Sequence, residues 1–229
     1  MKRIGMIGGF GPESTLDYYR LIIEKYREKV EDGSNPKIII NSMDITVLLN
    51  MVDNKQWDEL VDWLVEGIQE LYRAGAEFAF ISANTPHIVF ERIKELSPIP
   101  LISIVEETCK EAKNLEIKKI GLIGTKFTMQ SDFFAKVFDQ SKITIIVPKE
   151  EEQAYIHHKL MTEIELGQFR DETRDGLLGI VKRMLDEDSI EGLILGCTEL
   201  PLILTKDAFG IPFLNTTKIH VESIIKKCL

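Results

Sequence analysis

Cysteine is scarce in this chain of 229 residues, and the three that occur are Cys109, Cys197 and Cys228. Their number is odd, and no two have the Cys-x-x-Cys spacing of a zinc or redox motif. Small proteins held by disulfides and structural zinc sites both need paired, closely spaced cysteines. The sequence therefore argues against a disulfide framework and a zinc site, and we expect no metal.

Basic residues and long apolar runs are also lacking. Lysine and arginine number 28 against 37 aspartates and glutamates, so the net charge is −9. An acidic chain without a basic stripe is a poor binder of nucleic acid, and no apolar run approaches the roughly 18 residues of a membrane span. We expect a cytoplasmic protein without nucleic-acid or membrane partners. Backbone N–H groups and hydroxyls must then hold any anionic ligand.

Short apolar runs alternate with amphipathic stretches along the whole chain. Most of the runs are continuous, which is typical of parallel strands covered on both faces. The predicted strands are Arg3–Ile7, Lys37–Asn41, Phe78–Ser82, Leu101–Ile104, Lys119–Ile123, Ile143–Val147, Gly192–Leu195 and Pro212–Leu214. The predicted helices are Glu13–Glu31, Trp57–Ala74, Ile88–Leu96, Glu106–Leu115, Gln130–Phe138, Tyr155–Leu166, Arg170–Asp186 and Lys218–Lys227. This alternation predicts an α/β fold.

Two segments recur about half a chain apart. Residues 2–9 (KRIGMIGG) match residues 118–125 (KKIGLIGT), and residues 77–85 (EFAFISANT) parallel residues 191–199 (EGLILGCTE). The second alignment sets Ala83 opposite Cys197. Two matched pairs in the same order favour a duplicated half and hence two pseudo-symmetric lobes, although strands of this kind are common in α/β proteins. We expect a first lobe of residues 1–98 plus 210–229 and a second of residues 99–209.

Small, hydroxyl or amide residues follow four of these strands. In parallel sheets ligands gather at the carboxyl ends of strands. The first such segment, residues 8–15 (GGFGPEST), is a tight turn into a helix whose N-terminus favours anions. It is not the Gly-x-Gly-x-x-Gly of dinucleotide-binding proteins. Phe10 in this turn could line a pocket.

Two further segments combine capping residues with donors for a carboxylate. Asn84 and Thr85 precede Pro86 and His87, and Thr125 and Thr128 follow the fifth strand. All four candidates could bind a carboxylate, cap a helix, or do both. We expect His87 to be a partly buried, hydrogen-bonding histidine rather than an acid or base.

Cys197 is the sharpest chemical candidate. It ends the Gly192–Leu195 strand and leads into residues Thr198 and Glu199. A helix N-terminus would lower the pKa of such a thiol towards neutrality, and Thr198 could hold a carboxylate. The alternative is that Cys197 is a small buried hydrophobe. We expect Cys109 and Cys228 to be structural.

Three adjacent pairs are weaker candidates. They are Glu106–Glu107, His157–His158 and Asn215–Thr216. Neighbouring histidines on a helix point about 100° apart, so the histidine pair cannot chelate a metal.

The motifs GGFGPEST, NTPH, GTKFTM and GCTE resemble those of the aspartate/glutamate/hydantoin racemase superfamily, in order and spacing, from Arg3 to Ile219. The resemblance implies two lobes with an active site in the cleft between them, no cofactor and, as is usual in the family, a homodimer. It also implies two thiols that exchange a proton at Cα from opposite faces. Carboxylate donors would come from Asn84, Thr85, Thr125 and Thr198, with Thr128 and Glu199 also in the site.

The chain departs from that pattern at one thiol. Cys197 keeps the second, whereas Ala83 occupies the position of the first. Ala83 could be a substitution that traps substrate, or Ser82, His87 or water could supply the second face. Otherwise the chain does not racemise. Related decarboxylases carry one cysteine, in the second half, and a non-catalytic carboxylate-binding homologue is a further alternative.

The residues expected to set substrate specificity also differ from the family pattern. Archaeal aspartate racemases are expected to place a lysine where Glu165 falls and an arginine near Thr46 or Val47. Neither cation is present here. Glu165 would repel a side-chain carboxylate, and Phe10 and Val52 could line a more apolar pocket. The sequence therefore indicates an aspartate- or glutamate-like racemase of broader specificity.

Overall fold

The computed structural model describes residues 1–229. The chain divides into two compact units, Met1–Glu107 with Thr217–Leu229, and Thr108–Thr216. Among its helices, none combines the length and the apolar character needed to traverse a bilayer.

Strands and helices alternate as the sequence predicts. The strands are β1 (Ile4–Gly8), β2 (Ile38–Ser42), β3 (Phe78–Ile81), β4 (Leu101–Ile102), β5 (Lys119–Ile123), β6 (Thr144–Ile146), β7 (Gly192–Leu195) and β8 (Phe213–Asn215). The helices are α1 (Pro12–Lys29), α2 (Ile45–Asp53), α3 (Trp57–Arg73), α4 (Phe90–Leu96), α5 (Ile104–Asn114), α6 (Lys126–Gln130), α7 (Phe133–Asp139), α8 (Glu150–Thr162), α9 (Asp171–Asp188), α10 (Leu200–Ile203) and α11 (Thr216–Cys228). Two short 3₁₀-helices are Thr85–Val89 and Ile164–Leu166.

Each unit contains one parallel four-stranded sheet, and the two sheets share one topology. The strand orders are β2-β1-β3-β4 in the first unit and β6-β5-β7-β8 in the second. The α/β fold of two similar halves is therefore confirmed. In each sheet the first and third strands along the chain are neighbours, which brings their carboxyl ends together: Ile7 pairs with Ile81, and Ile123 with Leu195.

The position of a strand in its sheet explains its burial. The central strands β1, β3 and β7 are buried at every residue, whereas β2, at an edge, has no fully buried residue. Helices cover both faces of a parallel sheet, so its central strands need apolar side chains on both sides. The continuous apolar runs of the sequence supply them.

The unit boundaries differ from the expected crossings near residues 98 and 210. Strand β4 pairs with β3 and so belongs to the first sheet, while β8 pairs with β7 in the second. The chain therefore crosses within α5 and at the start of α11. Backbone pairing to an existing sheet edge decides which unit each strand joins.

Candidate active site

The thiol of Cys197 lies two residues beyond the end of β7, in the second unit. Its Sγ donates a hydrogen bond to Glu199 Oε2 at 2.9 Å, and the Thr198 hydroxyl donates to the same oxygen at 2.9 Å. Cys197 is buried, while Thr198 and Glu199 are partly buried. One carboxylate oxygen therefore gathers two donors at the carboxyl end of a central strand.

The expected lowering of the Cys197 pKa is wrong. Burial raises the pKa of this thiol well above its usual value, and the charge of Glu199 raises it further. The helix that follows, α10, has only four residues, so its dipole offers little compensation. In the free protein Cys197 is therefore a thiol whose proton points at a carboxylate.

Glu165 lies close to this pair, on the 3₁₀-helix Ile164–Leu166. The Cys197 Sγ, one carboxylate oxygen of Glu165 and one of Glu199 all lie within 4.8 Å of one another. Glu165 is exposed as a residue, but burial of its carboxyl, and then the charge of Glu199, raise the Glu165 pKa to about 7. These three groups could in principle hold a cation. No lysine or arginine forms an ion pair with either carboxylate.

A second, buried glutamate anchors the segment that carries Glu165. Glu163 accepts hydrogen bonds from Thr173 and from Lys159 Nζ, the latter at 2.5 Å. Lys159, and then the Thr173 hydroxyl, lower the pKa of Glu163. Arg170 adds an ion pair at 3.7 Å. These contacts tie the 3₁₀-helix to α8 and α9, so Glu165 stands on a fixed support. Sequence reasoning did not single out Glu163, because its contacts with Arg170 and Thr173 depend on how the start of α9 packs.

Thr125 and Thr128 follow the neighbouring strand, β5. Thr125 Oγ1 accepts from the Thr128 backbone N–H at 3.3 Å, and the two hydroxyls lie 3.1 Å apart. Capping by Thr125 is therefore confirmed. A Cβ on Gly124 would lie 3.1 Å from the backbone of Gly196. This close approach draws the turn after β5 against the turn after β7.

Ala83 occupies the equivalent position in the first unit. It lies two residues beyond the end of β3, as Cys197 does beyond β7, and it is buried. The neighbouring turn after β1 is joined to this segment, because Ser14 Oγ donates to the Ser82 carbonyl at 2.9 Å. Ala83 therefore has the topological place of Cys197, with a methyl group in place of a thiol.

Asn84 does not cap the 3₁₀-helix Thr85–Val89 with its side chain. Neither Oδ1 nor Nδ2 of this buried residue has a hydrogen-bond partner, so of the roles that the sequence left open to Asn84, capping through its side chain is not the one observed. His87 instead stabilises the turn, with Nδ1 3.0 Å from the Ala83 carbonyl. The expected hydrogen-bonding role of His87 is confirmed, although the residue is buried rather than partly buried. Thr85 is partly exposed.

The turn after β1 depends on glycine. Gly9 has φ +86°, and a Cβ there would lie 2.0 Å from the Met43 carbonyl oxygen. Thr15 Oγ1 accepts from the Gly9 N–H at 2.9 Å. Phe10 is buried, with its ring 5.8 Å from that of Trp63. The backbone can thus turn sharply and present Phe10 at the end of β1.

The remaining specificity candidates lie on α2, a helix that the sequence did not predict. Val52 is buried at its end, whereas Thr46 and Val47 are exposed at its start. The Asp44 side chain caps the helix through the Thr46 N–H at 2.7 Å.

The weaker candidates have structural partners. Glu106 pairs with Lys94 at 2.6 Å, Glu107 accepts from Ser223 at 2.6 Å, and His157 Nδ1 accepts from the Lys126 N–H at 3.4 Å. Thr216 Oγ1 donates to the Leu195 carbonyl at 3.0 Å. The buried thiols of Cys109 and Cys228 donate to backbone carbonyls. These groups stabilise the fold.

Comparison with known proteins gives a consistent result. The model of the Asp/Glu/hydantoin racemase family matches residues 7–224. A broad specificity amino-acid racemase of Bacillus subtilis is 26% identical over 231 residues, which cover 99% of this chain and 98% of that protein. An aspartate racemase homologue from Pyrococcus horikoshii is 32% identical with a TM-score of 0.89, covering 100% of this chain and 99% of that one. Aspartate racemase of Picrophilus torridus shares the fold, with a TM-score of 0.79. It is 19% identical, and the match covers 100% of this chain and 94% of that one.

Proposed function

Because the chain belongs to the Asp/Glu/hydantoin racemase family, we propose that it is an amino acid racemase that needs no cofactor, with Cys197 as one acid/base. The observation that carries this proposal is the buried Cys197 thiol hydrogen-bonded to Glu199 at the carboxyl end of a central strand. The full-length similarity to a broad specificity amino-acid racemase supports an amino acid as substrate.

The Cys197–Glu199 pair suits proton abstraction from Cα. Since the thiol already points at Glu199 Oε2, that carboxylate can take the thiol proton while sulfur removes the α-proton as thiolate. The carbanion beside the substrate carboxylate needs preorganised donors. In this proposal the donors are groups of Asn84, Thr85, Thr125 and Thr198, with Thr128 supporting Thr125. Ala83 occupies the position from which the family's other thiol would protonate the second face, so in this chain the Ser82 hydroxyl or water would deliver that proton.

Proton–deuterium exchange tests the proposal directly. Each enantiomer of a panel of amino acids is incubated with the protein in D₂O, and Cα is followed by NMR and chiral chromatography. We expect deuterium at Cα together with inversion for some members of the panel. Exchange from one enantiomer without inversion would show that one base works alone. If no member exchanges or inverts, the racemase proposal is wrong.

The single thiol supports a second candidate, a decarboxylase of the same superfamily. Cys197 would protonate one face after CO₂ is lost from a malonate-like acid, and Ala83 would leave room on the other side. This candidate predicts CO₂ release from a substituted malonate without exchange at Cα of any amino acid. If neither reaction occurs but carboxylates bind, the chain is a binding homologue.

Glu165 sets the proposed preference for side chains. Its carboxylate lies beside that of Glu199 with no compensating cation, so a substrate carboxylate placed there would be repelled. Two unit charges about 5 Å apart interact by about 3 kcal/mol at an effective dielectric constant of about 20. We therefore propose broad specificity that disfavours acidic and favours neutral or basic side chains.

Replacing Glu165 by lysine should reverse this preference. We expect Glu165→Lys to raise the ratio of kcat/KM for aspartate over that for lysine about a hundredfold, consistent with the interaction above. Because the Glu165 pKa is about 7, KM for L-lysine should fall as pH rises through 7, and this dependence should vanish in Glu165→Gln. Glu151→Lys, an exposed charge change on α8, is the control. An unchanged ratio in Glu165→Lys would exclude Glu165 from the substrate site.

We also propose a homodimer, with a cytoplasmic location remaining a prediction from the sequence. Helix α2 buries Leu48 and Val52 on one face but exposes Ile45 and Leu49, one turn apart, on another. Ile40, on the edge strand β2, is exposed as well. A second copy of the chain could cover these apolar groups. Sedimentation at micromolar concentration should give twice the monomer mass, and a monomer would contradict the proposal.

A further inference from the structure

Two buried histidines in the first unit differ in their hydrogen bonding. His220 is satisfied at both ring nitrogens: Tyr18 donates to its Nδ1 at 2.8 Å, and its Nε2 donates to the Ile102 carbonyl at 3.1 Å. His87 is satisfied at Nδ1 alone, and its Nε2 has no partner although it is shielded from solvent. A buried polar atom without a partner costs free energy, so its persistence needs a reason.

The tautomer of His87 follows from its one hydrogen bond. The Ala83 oxygen is a carbonyl, which can only accept, so Nδ1 carries the proton and Nε2 is left as an acceptor. Burial lowers the His87 pKa to about 3, so the ring stays neutral. The ring also stacks on Phe90, with centroids 4.7 Å apart at 10°. His87 Nε2 therefore carries a lone pair that points in a fixed direction and can accept a hydrogen bond.

The same turn carries other buried polar atoms without hydrogen-bond partners. Asn84, three residues earlier, is 6% exposed and His87 is 5% exposed, and neither side-chain atom of Asn84 has a partner. The His87 backbone N–H donates to the Asn84 carbonyl at 2.9 Å, which holds the two residues in one turn. This turn thus offers one amide donor and two acceptors, Asn84 Oδ1 and His87 Nε2. A simple carboxylate would use only the donor.

We propose that His87 Nε2, together with Asn84 Oδ1, accepts hydrogen bonds from the α-ammonium group of the substrate. This inference rests on the proposed racemase function and names His87 as a further substrate-binding residue. A neutral imidazole of low basicity can accept from an ammonium without deprotonating it. The ammonium charge next to Cα then favours loss of the α-proton. A malonate-like acid has no such donor, so the open acceptors favour an amino acid substrate.

A matched pair of ligands tests the inference. L-Lysine and 6-aminohexanoate differ only in the α-ammonium group, and dissociation constants can be measured by calorimetry without turnover. His87→Asn retains a donor near the Nδ1 position but removes Nε2. We expect this variant to weaken L-lysine binding by about tenfold or more, the size of a lost bond to a charged group. Binding of 6-aminohexanoate should change by less than about twofold on the same grounds.

The native protein provides a readout that does not depend on the variant. With ¹⁵N-labelled histidine, the His87 Nε2 resonance should shift on saturation with L-lysine and not with 6-aminohexanoate. Equal weakening of both ligands in His87→Asn would show a merely structural role and overturn the inference. An Nε2 resonance that ignores L-lysine would also overturn it, and would assign the site to a buried water shared with the unpartnered Ser82 hydroxyl. Because both measurements use binding, they remain decisive even if the exchange experiment shows no racemisation.

Discussion

Cys197→Ser should lower the rate of racemisation at least about a hundredfold, the lower range for loss of a positioned acid or base. The serine hydroxyl retains the geometry and can still donate to Glu199, but it is a far weaker acid than the thiol. The measurement is the initial rate of inversion for the best substrate of the exchange panel. In the native protein the raised Cys197 pKa also predicts that kcat/KM still rises with pH above 8, because more thiolate forms.

Cys109→Ser is the matched control for this change. Cys109 is buried in the same unit, but its thiol donates to the Val137 carbonyl at 3.8 Å and lies at none of the strand ends described above. We expect its substitution to leave the rate within about threefold, since the effect would act only through modest repacking. If Cys197→Ser is as active as Cys109→Ser while both remain folded, the Cys197 thiol is a packing residue.

Ala83→Cys should raise racemisation about a hundredfold, provided that Cys197 and residue 83 act on the same carbon atom. The new thiol would supply the second acid/base, a contribution of that order when the group is well positioned. Ala83 is buried, so the added sulfur should cost about 1–3 kcal/mol of stability through overpacking. Rates of inversion in both directions, together with thermal unfolding, measure the two effects.

Two further variants test whether the faster racemisation of Ala83→Cys comes from the acid/base chemistry of the new thiol. Ala83→Ser adds a hydroxyl of similar size but much lower acidity, so it should give a smaller gain than the thiol. The double variant Ala83→Cys with Cys197→Ser should lose the gain altogether, because two groups that act as a unit are strongly non-additive. A folded Ala83→Cys protein no faster than the native chain would show that residue 83 does not face the substrate.

The positions of the strands along the chain could be predicted from the sequence, because buried strands have a recognisable apolar pattern. All eight predicted strands form, since the central strands need unbroken apolar runs. Helix α2 was missed because it opens with β-branched residues, Ile45, Thr46 and Val47, which disfavour helix in isolation. The Asp44 cap and the buried Leu48 and Val52 override that tendency.

Only part of the candidate site could be predicted from the sequence. Position in the sequence was enough to place Cys197, Thr198 and Glu199 beyond one strand, because parallel strands end at one edge of the sheet. The direction of the Cys197 pKa shift could not be predicted from the sequence, because it depends on burial and on the orientation of Glu199. Likewise, nothing in the local sequence distinguishes a capping asparagine from Asn84, whose side chain is left without a partner.

The anchoring of Glu163 has a consequence for how the protein can diversify. Its contacts with Lys159, Thr173 and Arg170 stabilise the segment without using the side chain of Glu165. The residue at position 165 can therefore vary in charge and size while the backbone beneath it stays in place. On the role proposed for Glu165, one codon change there would redirect the enzyme to a new class of amino acid at little cost in stability.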